Sequence, residues 1–453
     1  MMKESEKKKA TNFLYIAMCF ILSFGLVRFF YSILKVKSLF QPTYIEAVYR
    51  LMVVAQQDGI IMERRWGPLF AIAVTGLKTF IPTAYFSFIW RVFLLIAYGL
   101  IIYFFLRIIS AFKNTLQRKN TNLWSFILVF SMLQFASAIY NVTNGGGEIF
   151  ITLFIVGQFY YFYNKKYFIA ALFIVLGIYF KLFPVVFAFP YFIFSICSKN
   201  HRRYAFYLIL AGVVISLAGF LPWASKADLF YPFSMIFSIT REPSNTLPIW
   251  SKEIFSPLFF INKIMTGFQI PQEDVSMSRS INNIAFVFTI MLFVSSLFAG
   301  WKLSRLENRW SRNPQLRFLH LFIFQVVIGF IFLTFSLEIA IEHILLSIVS
   351  VFSPLYIFSA RIHKISDINL SWIKYMLSYL FGICLAGGLL PLSLLNRILL
   401  LNWIHQISGN PPDSLILYEK YIWYHVPMFG IYIIALVFYF SARSLINDMN
   451  KVS

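Results

Sequence analysis

Four groups of residues carry side chains suited to chemistry on an anionic or sugar-bearing substrate. Segment 37–66 holds Glu46, Asp58 and Glu63, followed at once by Arg64-Arg65-Trp66-Gly67-Pro68. A carboxylate there can take a proton from an acceptor hydroxyl, and a guanidinium pair can grip a phosphate through bidentate, charge-assisted hydrogen bonds. The same residues would also serve as a solvated loop with interfacial anchors. Lys181, in Lys181-Leu182-Phe183-Pro184, interrupts a long apolar stretch. A cation at membrane depth is costly unless it meets an anion such as a lipid phosphate, reaches a water-filled cavity, or snorkels to the headgroups. The turn Asn141-Val142-Thr143-Asn144-Gly145-Gly146-Gly147-Glu148 allows close backbone approach, and its N–H groups before a helix start could cradle an anion or a sugar. A plain flexible turn has the same composition. Glu338, Glu342 and His343 precede a late apolar run, where the adjacent Glu342-His343 pair offers a proton acceptor and a donor, or acids that simply favour a helix start. Arg28 is a further charge inside an apolar run, with no partner that the sequence can name.

The elements that must position these residues are membrane helices. Hydrophobic residues make up 59% of the 453 and charged ones 13%, about half the charged share of an ordinary soluble domain. A helix needs about 20 apolar residues to cross a hydrocarbon layer of about 30 Å, and the chain supplies such runs one after another, separated by polar breaks. The formal charge of +21 could suggest nucleic acid, but the lysines and arginines sit in short breaks between apolar runs rather than on one basic face. Cys19, Cys197 and Cys384 lie in or at the edge of apolar runs and build neither a disulfide framework nor a metal cluster. No P-loop, GxGxxG, HExxH or CxxC pattern stands where its mechanism would need it, so no nucleotide or other cofactor is expected.

Basic residues favour the cytoplasmic side, so the alternation of basic and acidic breaks sets the topology. It predicts an all-α, polytopic transmembrane bundle of about twelve helices, as a single domain over 1–453 with both termini cytoplasmic. The crossings fall roughly at 12–36, 85–108, 123–140, 149–164, 167–180, 185–198, 204–222, 283–301, 318–336, 344–360, 372–393 and 422–441. The first follows Lys7-Lys8-Lys9 but is longer than a signal-peptide core and has no Ala-x-Ala-like site after it, so it is read as retained. Stretch 67–82 is short, carries Lys78 and ends at Pro82; counted as a crossing it would invert every later loop, so it is read as re-entrant or interfacial. The arms 167–180 and 185–198 are also short, and 14 residues at about 1.5 Å each give roughly 21 Å. Their tip, with Lys181, should therefore lie below the outer surface. The larger loops 37–66, 223–282 and 394–421 all fall outside, with 37–66 the candidate catalytic loop and 223–282 a lid, an acceptor platform or an amphipathic cover.

The order of these features resembles the C-type glycosyltransferases, and in particular the family 87 branch of polyprenol-phosphate-dependent mannosyl- and related transferases. The resemblance rests on Tyr44-Ile45-Glu46-Ala47-Val48-Tyr49, then Asp58-Gly59 and Trp66-Gly67-Pro68-Leu69, after the first helix. It rests further on Asn144-Gly145-Gly146-Gly147-Glu148, similar to an outer Gly-Gln turn with Glu for Gln, and on Lys181-Leu182-Phe183-Pro184, which matches a Lys-x-x-Pro element. Ser336-Leu337-Glu338 with Glu342-His343 resembles the Ser-Pro and Glu-His region before a late helix, without the Pro. Where that family shows Asp, this chain has Glu46.

The resemblance implies a catalytic pocket on the outer face of a bacterial inner membrane and a hexose, mannose first, carried on a polyprenyl phosphate to a lipid or glycan acceptor. Glu46, with Asp58 as second choice, would be the base. Lys181, helped by Arg64 or Arg65, would neutralise the leaving phosphate, and His343 would orient the phosphate or the acceptor. Asn144, Glu148 and Glu342 complete the expected binding set, with no metal. Two other classes fit the same helices. A secondary transporter or lipid flippase would show inverted repeats and broken helices near the midplane, and no internal repeat is visible. A polysaccharide polymerase or ligase would carry Arg and His in its long loop, and 223–282 contains no His.

Overall fold

A computed structural model describes residues 16, 23, 27, 67–116, 138, 141–142, 145–181, 183–220, 275–310, 314–335, 370–387 and 429–444. Among the described residues the only regular structure is helical. In chain order the helices are α1 (Pro68–Phe80), α2 (Thr83–Leu116), α3 (Glu148–Tyr163), α4 (Tyr167–Phe180), α5 (Val185–Cys197), α6 (Arg202–Phe220), α7 (Val275–Trp310), α8 (Pro314–Phe335), α9 (Leu370–Gly387) and α10 (Phe429–Ser444). Among the described residues two segments, Thr83–Ile108 and Arg317–Thr334, are long and apolar enough to cross a membrane. The reading at 344–360, and nearly all of those at 12–36 and 123–140, lie outside the described residues, as do loops 37–66 and 394–421 and most of 223–282.

Helices α3, α4, α5 and α6 run up and down through short turns and pack in sequence, α3 on α4, α4 and α5 on α6, with α7 along α5 and α2 along α3. Antiparallel neighbours follow from connections of three or four residues, which leave no length for a crossover. The contact between α5 and α7 is close because Gly300 of α7 lies over the carbonyl of Pro190 in α5, where a Cβ would collide with the backbone. Polar side chains inside the bundle meet in pairs across helices: Gln158 Nε2 donates to the Tyr204 hydroxyl (2.7 Å), and the Tyr191 hydroxyl donates to Gln325 Oε1 (2.7 Å). Such pairs satisfy groups that an apolar surrounding would otherwise leave costly. The outward faces are apolar, as on α6, where Phe206, Ile209, Leu210, Val213 and Leu217 recur at helical spacing and are exposed.

Helix ends depart from the apolar runs. Helix α2 continues to Leu116, past the end of the crossing read at 85–108, and α7 spans Val275–Trp310 although the apolar run covers only 283–301. Apolarity marks the slab a helix can cross, whereas polar residues such as Ser280, Asn282, Glu307 and Asn308 continue the same helix outside it.

Stretch 67–82 forms α1, 13 residues or about 20 Å long, begun by Pro68 at the first helical position. Phe70 contacts Trp90 (6.2 Å between ring centroids), and Lys78 Nζ lies 4.5 Å from the centre of the Phe86 ring. The helix therefore folds back along the first two turns of α2 as a hairpin.

At the opposite end of α3 to α6, a polar lock fastens the turn before α6. The Tyr167 hydroxyl pairs with His201 Nδ1 (2.7 Å), Glu307 Oε1 lies 3.7 Å from His201 Nε2, and Asn200 Nδ2 donates to Glu307 Oε1 (2.7 Å). The imidazole stacks on Phe162 at 5.3 Å. Burial pulls the His201 pKa down from 6.5 to about 4; Glu307 opposes that shift, and Arg317 and Lys165 add to it. Between those values the unfolded chain binds a proton that the folded one refuses, so stability is complete above pH 6.5 and is lost as pH falls towards 4. His201→Phe, which keeps the stack, should flatten the fall in melting temperature over that window; an unchanged profile would mean other groups carry it.

Candidate functional site

Lys181 and Glu148, 33 residues apart in the chain, meet at one end of the bundle. Lys181 Nζ donates to Glu148 Oε1 at 2.6 Å, with the residues only 4% and 3% exposed. Helix α4 contains no charged residue; it ends where Lys181 turns into extended backbone while its N–H still bonds the Gly177 carbonyl (2.9 Å). Pro184, with φ −57°, starts α5 three residues later. Lysine is thereby fixed at the tip of a helical hairpin instead of on a helix face. Glu148 is the first residue of α3, where the N-terminal dipole favours a carboxylate.

Glycines allow the surrounding backbone to close on this pair. Gly145 adopts φ 76°, a left-handed conformation suited to glycine, and the N–H groups of Gly145 and Gly146 both donate to the Asn141 carbonyl (2.9 Å each). A Cβ on Gly146 would strike the Asn141 and Glu148 side chains, so glycine there lets both crowd over the turn. Gly67 packs against the end of α4: its N–H donates to the Phe180 carbonyl (2.9 Å), and a Cβ would collide with the Tyr179 carbonyl. The Trp66-Gly67-Pro68 and Lys181-Leu182-Phe183-Pro184 elements are thus brought together by main-chain contact.

An aromatic wall encloses the pair. Trp90 Nε1 donates to the Gly145 carbonyl (3.0 Å). Phe70 meets Phe180 edge-on at 5.1 Å, Phe150 lies 5.4 Å from Trp90 and 5.6 Å from Phe180, and Lys181 Nζ lies 5.3 Å from the Phe183 ring centre. Thr83, at the start of α2, is seven residues before Trp90, so the α1–α2 hairpin extends about 10 Å beyond the level of the glycine turn. The charged pair is recessed beneath it.

Of the residues singled out from sequence, Lys181 and Glu148 come together. Glu46, Asp58, Arg64, Arg65, Asn144, Glu342 and His343 lie outside the described residues. In the structure the anion beside Lys181 is an internal carboxylate, that of Glu148. Asn141 was read only as part of the glycine turn, and Trp90 and the buried Arg91 were not picked out. Arg91, a charge within an apolar run of α2, carried a legible signal; Trp90 did not, in a chain that is 20% aromatic.

The family model of glycosyltransferase family 87 matches residues 66–333, more than half of the chain. The chain belongs to glycosyltransferase family 87. It is therefore a glycosyltransferase, and its apolar helices fit a membrane protein. The match takes in the Gly67 contact, the glycine turn, Glu148 and Lys181, and ends before Glu342 and His343; Glu46, Asp58, Arg64 and Arg65 precede it. No curated protein matches the transferase.

A carboxylate left in this pocket without its cation would cost about 3–5 kcal/mol, whereas an apolar pair of similar volume can be neutral or better. Lys181→Met should thus lower stability by about that amount, and Lys181→Met/Glu148→Leu should recover most of it. Equal losses in the single and double variants, followed by thermal unfolding, would show that the two groups are not coupled.

Proposed function

We propose that the transferase moves a hexose, mannose first, from a polyprenyl-phosphate-sugar to a lipid or glycan acceptor at the end of the bundle that holds Lys181. The buried Lys181–Glu148 pair carries this reading, because a fixed ammonium recessed beneath a helical hairpin suits a phosphate that approaches from the membrane on its own lipid. An ammonium has three donors and can serve a second anion while one carboxylate holds it in place. A donor of this kind brings its leaving group with it, in keeping with the absence of nucleotide-binding motifs from the sequence.

In the proposed reaction an acceptor hydroxyl attacks the anomeric carbon. Its proton passes to Glu46, or to Asp58 as second choice, while the bond from the anomeric carbon to the phosphate oxygen breaks and its electron pair leaves with the polyprenyl phosphate. One direct displacement inverts the anomeric centre. Lys181 stabilises the charge that grows on the leaving phosphate, helped by Arg64 or Arg65, which stand three and two residues before Gly67. Asn144 and Glu148 hold the sugar or the phosphate, and His343, beside Glu342, orients the phosphate or the acceptor. Twelve crossings, cytoplasmic termini and an outward-facing site in a bacterial inner membrane complete the proposal, with 223–282 as lid or acceptor platform.

The test is release of polyprenyl phosphate from mannosyl-phosphoryl-polyprenol by the protein in nanodiscs, with a membrane lipid extract as acceptor. Glu46→Gln should slow release by about 100-fold or more while leaving the melting temperature unchanged. Near-normal release by that variant would remove Glu46 as the base and shift the role to Asp58. A folded protein that releases nothing from several sugar donors would refute the lipid-linked donor.

A further inference from the structure

The opposite end of the bundle carries a second charged site that the transfer reaction does not use. A cleft of about 760 Å³ opens there, within the roughly 300–1,000 Å³ of small-ligand sites. Among the described residues Lys165, Lys166, Arg203 and Arg317 line it, against one carboxylate, that of Glu307. That carboxylate is already engaged by Asn200 (2.7 Å), and His201, kept neutral near pH 7 by burial, adds no charge. Sixteen residues of α3, about 24 Å, separate this end from Glu148.

Retention of basic residues on one side of a membrane accounts for cations here but not for how they are held. Helix α3 closes with the Lys165 N–H on the Phe162 carbonyl (3.0 Å) and the Lys166 N–H on the Tyr161 carbonyl (2.9 Å). This is the closing turn that normally places glycine at the left-handed position, yet Lys165 occupies it with φ 59°. Among the described residues no other non-glycine has positive φ. A side chain kept at a strained position is a pointer to function. Arg317 is anchored as well, donating through Nη2 to the Tyr163 carbonyl (3.2 Å).

The cleft also adjoins apolar surface. Phe168 and Tyr207 line it and stack edge-on at 5.7 Å. From Tyr207 the exposed stripe of α6 continues through Leu210, Val213, Val214 and Leu217. A phosphate in the cleft would have its hydrocarbon on that stripe. We propose that the cleft binds the phosphate of an anionic membrane lipid, with its acyl chains along α6. The charge assigns the headgroup and the stripe assigns the lipid.

The experiment follows thermal unfolding of the full-length protein in mild detergent, titrated with dioctanoyl phosphatidylglycerol, dioctanoyl phosphatidylcholine or inorganic phosphate. Phosphatidylglycerol should raise the melting temperature to a plateau that the other two do not reach. Lys165→Gly, which suits the left-handed turn and so spares the fold, and Arg203→Gln should each raise the half-saturating concentration about tenfold or more. Lys302→Gln, an exposed cation that does not line the cleft, should leave it unchanged. An equal plateau with phosphatidylcholine, saturation by inorganic phosphate at the same concentration, or equal weakening by Lys302→Gln would each overturn the proposal. The first would remove the need for charge, the second would make the ligand a soluble anion, and the third would leave only the general surface field.

Discussion

Taking an ammonium and a carboxylate out of water costs several kcal/mol for each ion, and only close mutual approach with good geometry repays it. The end of the bundle around Lys181 and Glu148 answers that constraint. The hairpin of α4 and α5 ends in extended backbone so that the lysine can turn inward, and α3 starts on its acid so that the helix dipole and the lysine act on the same carboxylate. Gly67 and Gly146 stand where any larger residue would hold the backbone or the neighbouring side chains away. Phe70, Trp90, Phe150 and Phe180 keep the pair dry, which strengthens it and raises the cost of separating it.

The two ends of the four-helix run solve opposite problems with the same kinds of residue. Near Glu148 one cation and one acid are sealed under an aromatic wall. Near Lys165 several cations surround a cleft, and the one carboxylate lining it among the described residues is already occupied by a neighbour. A sealed pair fits a group that must be held in register for a transferring phosphate, and an open cluster fits an anion that binds and leaves. The short arms α4 and α5 connect these ends at a length of about 20 Å each, less than the thickness of a hydrocarbon layer.

Much of this was legible in the sequence because single residues broke a pattern. Lys181 interrupts an apolar run before a proline, Glu148 closes a glycine turn, and 67–82 is short, carries Lys78 and ends at Pro82. Their pairing was not legible, since nothing local indicates which acid a buried cation will meet across 33 residues. Gly67 could be read as part of a motif but not as the point where α1 touches α4, which is a main-chain contact between distant segments. Helix ends were misjudged for another reason: apolar runs report where lipid would be, and α7 continues well past both limits on polar residues that favour helix or tolerate it. The aromatic wall was hidden by abundance, because 54 phenylalanines leave no single one conspicuous.

If the pair is the receptor for the lipid-borne phosphate, affinity for that phosphate should depend on it in a protein that is otherwise intact. The most direct measurement is the equilibrium binding of polyprenyl phosphate to the wild type and to the Lys181→Met/Glu148→Leu double variant, both in nanodiscs, with melting temperatures recorded on the same samples. The account predicts a melting temperature close to wild type and affinity about tenfold weaker or more, as for a lost charge-assisted contact of 1.5–3 kcal/mol (about 1.4 kcal/mol per tenfold). Unchanged affinity in a well-folded double variant would contradict it and leave the pair a purely structural clamp.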